Sequence, residues 1–154
     1  MQAQLDEQCV ITANSQFWEQ MLTMTLEPIY SAEEFCVDAG HVLGSVTLSG
    51  NWKGRVEVRM AENLAYEATA AMMMQPRDTV AEADALDATK EIANMIAGTI
   101  KSSLPRPCSM SVPESAVETE GFCGRRTTEN SLVVTFRHAA GNLMVCIWEQ
   151  ECQQ

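Results

Sequence analysis

The residues in this sequence whose types could do chemistry lie on one side of a single helical segment. They follow one another at spacings of four, three, four and three residues, which keeps side chains on one stripe of an α-helix: Asp87, Glu91, Asn94, Gly98 and Lys101. The carboxamide of Asn94 offers an acceptor and two donors that do not titrate near neutral pH, so it can position a polar group without acting as a base. Taken alone, such a stripe is more typical of an ordinary solvated helix face.

The helix that carries this polar stripe is the longest one predicted in the chain. Thr79, with Glu82 three residues later, has the pattern of a capping box at its start. The helix must end before Pro105, because a residue that precedes proline avoids the α region. Apolar residues recur at helical spacing on the other side: Leu86, Ala93, Ile96, Ala97, Ile100 and Leu104. That side is predicted to face a sheet, so the polar stripe should face outward.

Periodicity and turn residues predict the remaining elements after a polar lead-in over residues 1–14. They are a helix capped by Asn14 and Ser15, a hairpin within 41–60, a helix over 61–74, a broken strand within 109–122, and a hairpin formed by 132–140 and 143–151. Residues 29–40 are interpreted as irregular connection. Because the strands are grouped apart from the helices, the fold class is predicted as α+β, a single domain over residues 15–154 in which two or three helices cover an antiparallel sheet.

Charge and hydropathy argue against two classes of partner. The formal net charge is −11 at pH 7, whereas nucleic-acid binding needs clustered Lys and Arg side chains. No window approaches the ~18 uncharged apolar residues of a membrane-spanning helix, and the N-terminus lacks the basic start and apolar run of a signal peptide. We therefore expect a cytoplasmic protein with no nucleic-acid and no membrane partner.

The six cysteines indicate neither a metal site nor a secreted scaffold. No Cys-x-x-Cys pair occurs, and neither His41 nor His138 lies near two cysteines in sequence, which argues against zinc. Free, mostly structural thiols are favoured over disulfides. The sequence also contains no phosphate-binding loop and no nucleophile–base pair, so a small-molecule enzyme lacks support.

The pattern Asp-x-x-x-Glu-x-x-Asn, formed by Asp87, Glu91 and Asn94, resembles the active-site signature of the CheC/CheX/FliY phosphatases of bacterial chemotaxis. The run EIANMIAGTIK at 91–101 is similar to the CheX branch, which shares the Asn-Met-Ile-x-Gly-x-x-Lys continuation. CheC-type members carry a second copy of the motif, which this chain lacks, so a CheX-like protein with one site is the better comparison. The longer signature has proline at the position of Val117, and this chain departs from it there.

This resemblance implies a phosphatase that accelerates hydrolysis of the aspartyl phosphate of a CheY-like response regulator. Carried over to this sequence, it makes Glu91 and Asn94 the catalytic residues, with Asp87, Gly98 and Lys101 at the partner-binding surface. It implies no cofactor bound by this chain, with Mg²⁺ held in the partner receiver.

Two further expectations concern assembly and catalysis. The resemblance, together with the predicted strand 143–151 as an exposed edge that can pair with a second copy, favours a homodimer. The alternative function is a non-catalytic CheX-like scaffold that binds a receiver or dimerises in two-component signalling. The presence of both Glu91 and Asn94 favours catalysis over this alternative.

Overall fold

The computed structural model describes residues 6–29, 35–124 and 130–150. Within these ranges there are three α-helices, α1 (Glu7–Leu22), α2 (Glu62–Met73) and α3 (Glu82–Lys101), and a 3₁₀ turn at Arg77–Thr79. The strands are β1 (Glu27–Ile29), β2 (Phe35–Val37), β3 (Val42–Gly50), β4 (Gly54–Met60), β5 (Cys108–Met110), β6 (Glu114–Val117), β7 (Phe122–Gly124), β8 (Ser131–Arg137) and β9 (Leu143–Glu149). The predicted α+β class is confirmed.

Seven of the strands form one antiparallel sheet in the order β1-β8-β9-β4-β3, with β5 and β6 both pairing with the outer edge of β3. The two predicted hairpins are β3–β4 and β8–β9. The predicted broken strand is the β5 and β6 pair, interrupted between Met110 and Glu114. The two remaining strands, β2 and β7, form a separate two-stranded ribbon.

One face of the sheet forms the main core because alternate residues of the central strands are apolar. Val46, Val56 and Ile147 are adjacent in register across β3, β4 and β9, and each is at most 1% exposed. The buried side of α3 packs on this face with Ile92 and Ile96, which are also at most 1% exposed. Full burial of each such side chain contributes roughly 1.5–3 kcal/mol, so α3 is held firmly on the sheet.

Gly44 in β3 sets how closely α3 approaches the sheet. A Cβ atom placed there would lie 2.8 Å from the carbonyl oxygen of Thr89 and 3.0 Å from the Cβ of Ala93. A glycine inside a strand marks such a close backbone approach. The helix backbone therefore lies almost directly on β3.

Two predicted helix starts were wrong. Helix α1 begins at Glu7, where the Asp6 carboxylate accepts a 2.8 Å hydrogen bond from the backbone N–H of Cys9. Because Val10 and Ile11 are buried, part of the predicted lead-in belongs to the packed domain. Helix α3 begins at Glu82 and not at Thr79, whose hydroxyl donates to the Pro76 carbonyl within the 3₁₀ turn.

Two predictions about the strands were also wrong. Strand β9, predicted as an exposed edge, lies in the middle of the sheet between β4 and β8. The segment 29–40, predicted as irregular, contains the end of β1 and all of β2. These strands are only three residues long, too short for periodicity to reveal them.

The expectation of free thiols was wrong for two cysteines. Cys36 and Cys123 are cross-strand neighbours in the β2–β7 ribbon and form a disulfide. They are 87 residues apart, so no local spacing predicts the pairing. Cys9, Cys108 and Cys146 are free, and Cys152 lies outside the described residues.

The β2–β7 ribbon covers the sheet face opposite the helices. Its Val37 joins Val133, Met144 and Cys146 in a second apolar cluster. Burial, with a smaller contribution from the nearby Glu57 carboxylate, raises the pKa of the Cys146 thiol to about 12. The ribbon therefore covers part of this face, on which Trp148 stays 36% exposed, and the helices cover the other face.

Among the described helices, none combines the length and apolarity needed to cross a membrane.

The close contact at Gly44 predicts the effect of one added methyl group. Gly44→Ala should lower the free energy of unfolding by roughly 1–3 kcal/mol, because the contact with the α3 backbone cannot relax without moving the helix. Urea unfolding followed by circular dichroism measures this change. Ser49→Ala, on the opposite face of β3 and exposed, is the matched control and should stay within about 0.5 kcal/mol of the parent. Equal stability of both variants would contradict the close packing.

Candidate functional site

Helix α3 carries the candidate site, and the chain fixes it at both ends and along its buried side. At the N-terminus the backbone N–H of Ala81 donates to the Asp84 carboxylate at 3.0 Å, and at the C-terminal end the helix runs to Lys101. From the adjacent strand β6, the Ser115 hydroxyl donates to the Leu86 carbonyl at 2.8 Å. Eight residues of α3 are buried: Ala85, Ala88, Thr89, Ile92, Ala93, Ile96, Ala97 and Ile100.

The polar stripe lies on the opposite side of α3 from this buried set. Asp87 and Glu91 are exposed, and Asn94, Gly98 and Lys101 are half-buried. The four side chains of the stripe make no hydrogen bond and no ion pair with any other residue that the structure describes. A carboxylate and a carboxamide that have no partner in the described ranges are available to bind one on another molecule.

The spacing within the stripe follows from helix geometry. Glu91 and Asn94 are three residues apart, so they lie one turn from each other with an axial rise of about 4.5 Å. Asp87 and Lys101 mark the ends of the stripe, about 21 Å apart along the axis. The stripe is therefore long enough to contact a macromolecular surface, and its two central polar groups are close enough to enter one pocket.

Gly98 interrupts the stripe without any steric reason inside the chain. A Cβ placed on Gly98 has no atom within 4 Å, in contrast to Gly44. A glycine inside a helix costs up to about 1 kcal/mol relative to alanine. Packing within this domain therefore does not account for Gly98, and a close approach by another molecule would.

The C-terminal part of α3 forms a ridge between two grooves. A groove of about 520 Å³ separates it from α1 and is lined by Cys9, Thr12, Thr99 and Ser103 among others. A groove of about 470 Å³ on the other side includes Gly98 and Lys101. Neither groove is lined by Glu91 or Asn94, which lie on the outward side of the helix. Such an arrangement fits a site whose pocket belongs to another protein.

Among the described residues, no cluster of three or more His, Cys, Asp or Glu side chains is arranged to hold a metal ion.

Some residues that shape the site were not found from the sequence. Arg106 and Cys108 line the second groove although they follow the helix, and nothing in their local pattern indicates it. Ser115 was likewise not singled out. The closely packed Gly44 could have been found, since an isolated glycine in a strand signals a close backbone approach.

The chain is similar to CheC- and CheX-like domains in sequence and in fold. In sequence, the family profile described as "Chemotaxis phosphatase CheX" matches residues 42–137, which include all of α3. The chain belongs to this family. No curated protein is significantly similar to the chain in sequence.

Solved structures of CheX- and CheC-like proteins share the fold over nearly the whole chain. CheX from Vibrio vulnificus is 20% identical, with a TM-score of 0.73 over 94% of this chain and 95% of its own. A CheC-like superfamily protein from Shewanella sp. PV-4 is 18% identical, with a TM-score of 0.74 over 96% and 100%. The CheX–CheY–BeF₃–Mg²⁺ complex from Borrelia burgdorferi is 17% identical, with a TM-score of 0.69 over 94% and 97%.

The outward orientation of the stripe predicts that its side chains contribute little to folding. Glu91→Ala and Asn94→Ala should each change the free energy of unfolding by no more than about 0.5 kcal/mol. Ile96→Ala, from the buried side of the same helix, should cost roughly 2–5 kcal/mol. Urea midpoints of the three variants test this difference. A large loss of stability in the Glu91 or Asn94 variant would contradict the assignment of these residues to a free surface.

Proposed function

We propose that this protein accelerates hydrolysis of the aspartyl phosphate of a CheY-like response-regulator receiver. The observation that supports this most directly is the pair of side chains Glu91 and Asn94, which lie one turn apart on the outward side of α3 and have no partner among the described residues. Family membership gives the reaction class. The structural neighbour from Borrelia burgdorferi is a complex of CheX with CheY, which supports a receiver as the partner.

Asn94 is assigned the task of orienting the attacking water. Phosphoryl transfer depends mainly on holding the nucleophile in line with the bond that breaks and on neutralising charge, and it does not need a strong base. A carboxamide accepts a hydrogen bond from water and donates to a phosphoryl oxygen without titrating near neutral pH. Inserted into the receiver pocket, Asn94 would aim the water at phosphorus. The rigid attachment of α3 would limit the motion of its side chain.

Glu91 is assigned the task of fixing the docking register. Its carboxylate is exposed and has no cationic partner among the described residues, so it is available to pair with the active-site lysine of the receiver. An exposed ion pair contributes only about 0–1 kcal/mol, whereas an interfacial pair from which water is excluded can contribute more. The contribution of Glu91 to the binding free energy therefore depends on how well the docked surfaces exclude water.

The other stripe residues are assigned to the docking surface. Asp87 extends the acidic end of the stripe, and Lys101 supplies a cation at the other end. The open space above Gly98 is where backbone of the receiver would approach α3.

The proposed function also implies where the metal ion is bound and where the protein is located. Mg²⁺ is expected in the receiver pocket, where it neutralises phosphoryl charge, with no cofactor bound by this chain. The expected location is the cytoplasm, where the receiver would be found. A homodimer stays a prediction from the family resemblance, because the argument from β9 as an edge does not hold.

Substitution of Asn94 tests the proposed chemistry. Asn94→Ala should lower the maximal rate of receiver dephosphorylation by about 100-fold or more, because loss of positioning is costly for an in-line attack, while the KM for the receiver stays within a factor of about two to three. Phosphate release is measured over a range of receiver concentrations, with autodephosphorylation subtracted. Because an amide does not titrate, the parent rate at saturation should vary little with pH near neutrality.

Glu91→Gln should act mainly on binding, raising KM about fivefold or more. Glu82→Gln, an exposed acidic residue of α3 outside the stripe, is the charge-matched control and should behave like the parent.

Full activity in the Asn94→Ala variant would overturn the mechanism. A parent protein that binds the phosphorylated receiver without accelerating phosphate loss would indicate the non-catalytic scaffold instead.

Gly98→Ala should change folding stability and receiver binding in opposite directions. The variant should gain about 0.5–1 kcal/mol of folding stability, because alanine is the better helix former and meets no steric obstacle. It should nevertheless bind the receiver more weakly, because the added methyl group occupies the space for the approaching backbone. Unfolding and receiver titration are measured on the same preparation. Tighter folding with unchanged receiver affinity would remove Gly98 from the interface.

A further inference from the structure

The second groove beside α3 has a chemical character unlike the rest of this acidic chain. It is lined by Gly98, Lys101, Ser102, Arg106, Pro107 and Cys108, and its volume is about 470 Å³. We call this set the basic groove. Two of its six lining residues are cationic and none is acidic, in a chain with 21 Asp and Glu residues against 10 Lys and Arg.

The two cations of the basic groove form no ion pair among the described residues. Lys53, Lys90 and Arg137 form none there either, so what distinguishes Lys101 and Arg106 is that they line the same groove. Lys101 lies in the last turn of α3, where a cation is favoured by the helix dipole. The dipole does not explain Arg106, which follows the helix. A shared role in binding accounts for both.

The wall of the groove that carries Arg106 is fixed to the sheet. The Asn51 side-chain amide donates to the Arg106 carbonyl, and the Asn51 backbone N–H donates to the Pro107 carbonyl at 2.9 Å. The next residue, Cys108, is the register partner of Gly50 in β3. This preorganisation lowers the entropic cost of binding, because the backbone that carries the guanidinium is already ordered.

The position of the basic groove along α3 limits what it can bind. Lys101 is seven residues from Asn94, about 10 Å along the helix axis. With Asn94 at the phosphoryl group, the groove lies beyond the phosphorylation pocket and against the neighbouring surface of the receiver. It shares Gly98 and Lys101 with the stripe, so a docked receiver would cover both.

We infer that the basic groove binds an acidic patch on the receiver surface next to its phosphorylation pocket, through Lys101 and Arg106. This inference rests on the proposed function and adds a determinant of partner choice. The acidic half of the stripe, with Asp87 and Glu91, then meets a basic part of the receiver, and the basic groove meets an acidic part. Opposite charges at the two ends fix the direction in which the receiver docks and reject receivers with the reverse pattern.

The test measures binding and turnover on the same variants. Lys101→Gln and Arg106→Gln should each raise the Kd for a beryllofluoride-activated receiver about two- to threefold at low ionic strength, and the double variant about five- to tenfold. In 1 M salt, where the Debye length is about 3 Å, the differences should fall below about twofold. Arg137→Gln, an exposed cation on β8, is the matched control and should bind like the parent. Millimolar inorganic phosphate should not compete with the receiver.

A charge-reversal series identifies the acidic patch. The variant with Lys101→Glu and Arg106→Glu together should bind poorly, and one Asp→Lys or Glu→Lys variant of the receiver beside the phosphorylation pocket should restore at least part of the affinity. In Lys101→Gln and Arg106→Gln the loss should appear in the KM for the receiver, whereas in Asn94→Ala it appears in the maximal rate.

The results distinguish this inference from the proposed function. Unchanged Kd in the double variant, or an equal effect of Arg137→Gln, would overturn the role of the basic groove even if Asn94→Ala loses activity. Competition by inorganic phosphate would also overturn it, since the groove would then be an anion site. Absence of stimulated dephosphorylation together with salt-sensitive, groove-dependent binding would instead overturn only the catalytic proposal.

Discussion

The contact between the α3 backbone and Gly44 of β3 is the constraint on which the rest of this domain depends. It brings the helix so close to the sheet that one side of α3 is buried in the core. A helix has no freedom to rotate about its axis when eight of its residues are buried against neighbouring elements. The direction of the opposite side is therefore decided by packing, and Glu91 and Asn94 face outward without a hydrogen bond or ion pair to another described residue.

This arrangement separates folding from recognition within a single helix. Apolar burial supplies the stability, and the polar side chains are left unpaired on the outward side of the helix. Many enzymes build a cleft and bring the substrate into it. Under the proposed function, this chain would instead supply a rigid helix, and the receiver would supply the cavity. The grooves on both sides of α3 give a partner room to close around it.

The sequence was most informative where periodicity is long and least informative where structure depends on distant pairing. The outward stripe of α3 and the hairpins β3–β4 and β8–β9 were predicted from local spacing and turn residues. The start of α3 was predicted wrongly. The Thr79 hydroxyl, which was expected to cap the helix, instead forms its hydrogen bond within the preceding 3₁₀ turn. The central position of β9 depends on β4, more than eighty residues earlier, and no local pattern reports it. Arg106 reaches the site through a loop whose path is set by hydrogen bonds to Asn51.

The β2–β7 ribbon has a consequence for how this sheet can be used. Because the ribbon shields Cys146 and burial raises the pKa of its thiol to about 12, that sulfur stays protonated and inaccessible in the folded protein at neutral pH. The sheet thus separates the helical layer from the small apolar cluster beneath the ribbon. Thiol modification at Cys146 would report on opening of the ribbon, provided that it is measured separately from modification of Cys9 and Cys108, which line the grooves beside α3.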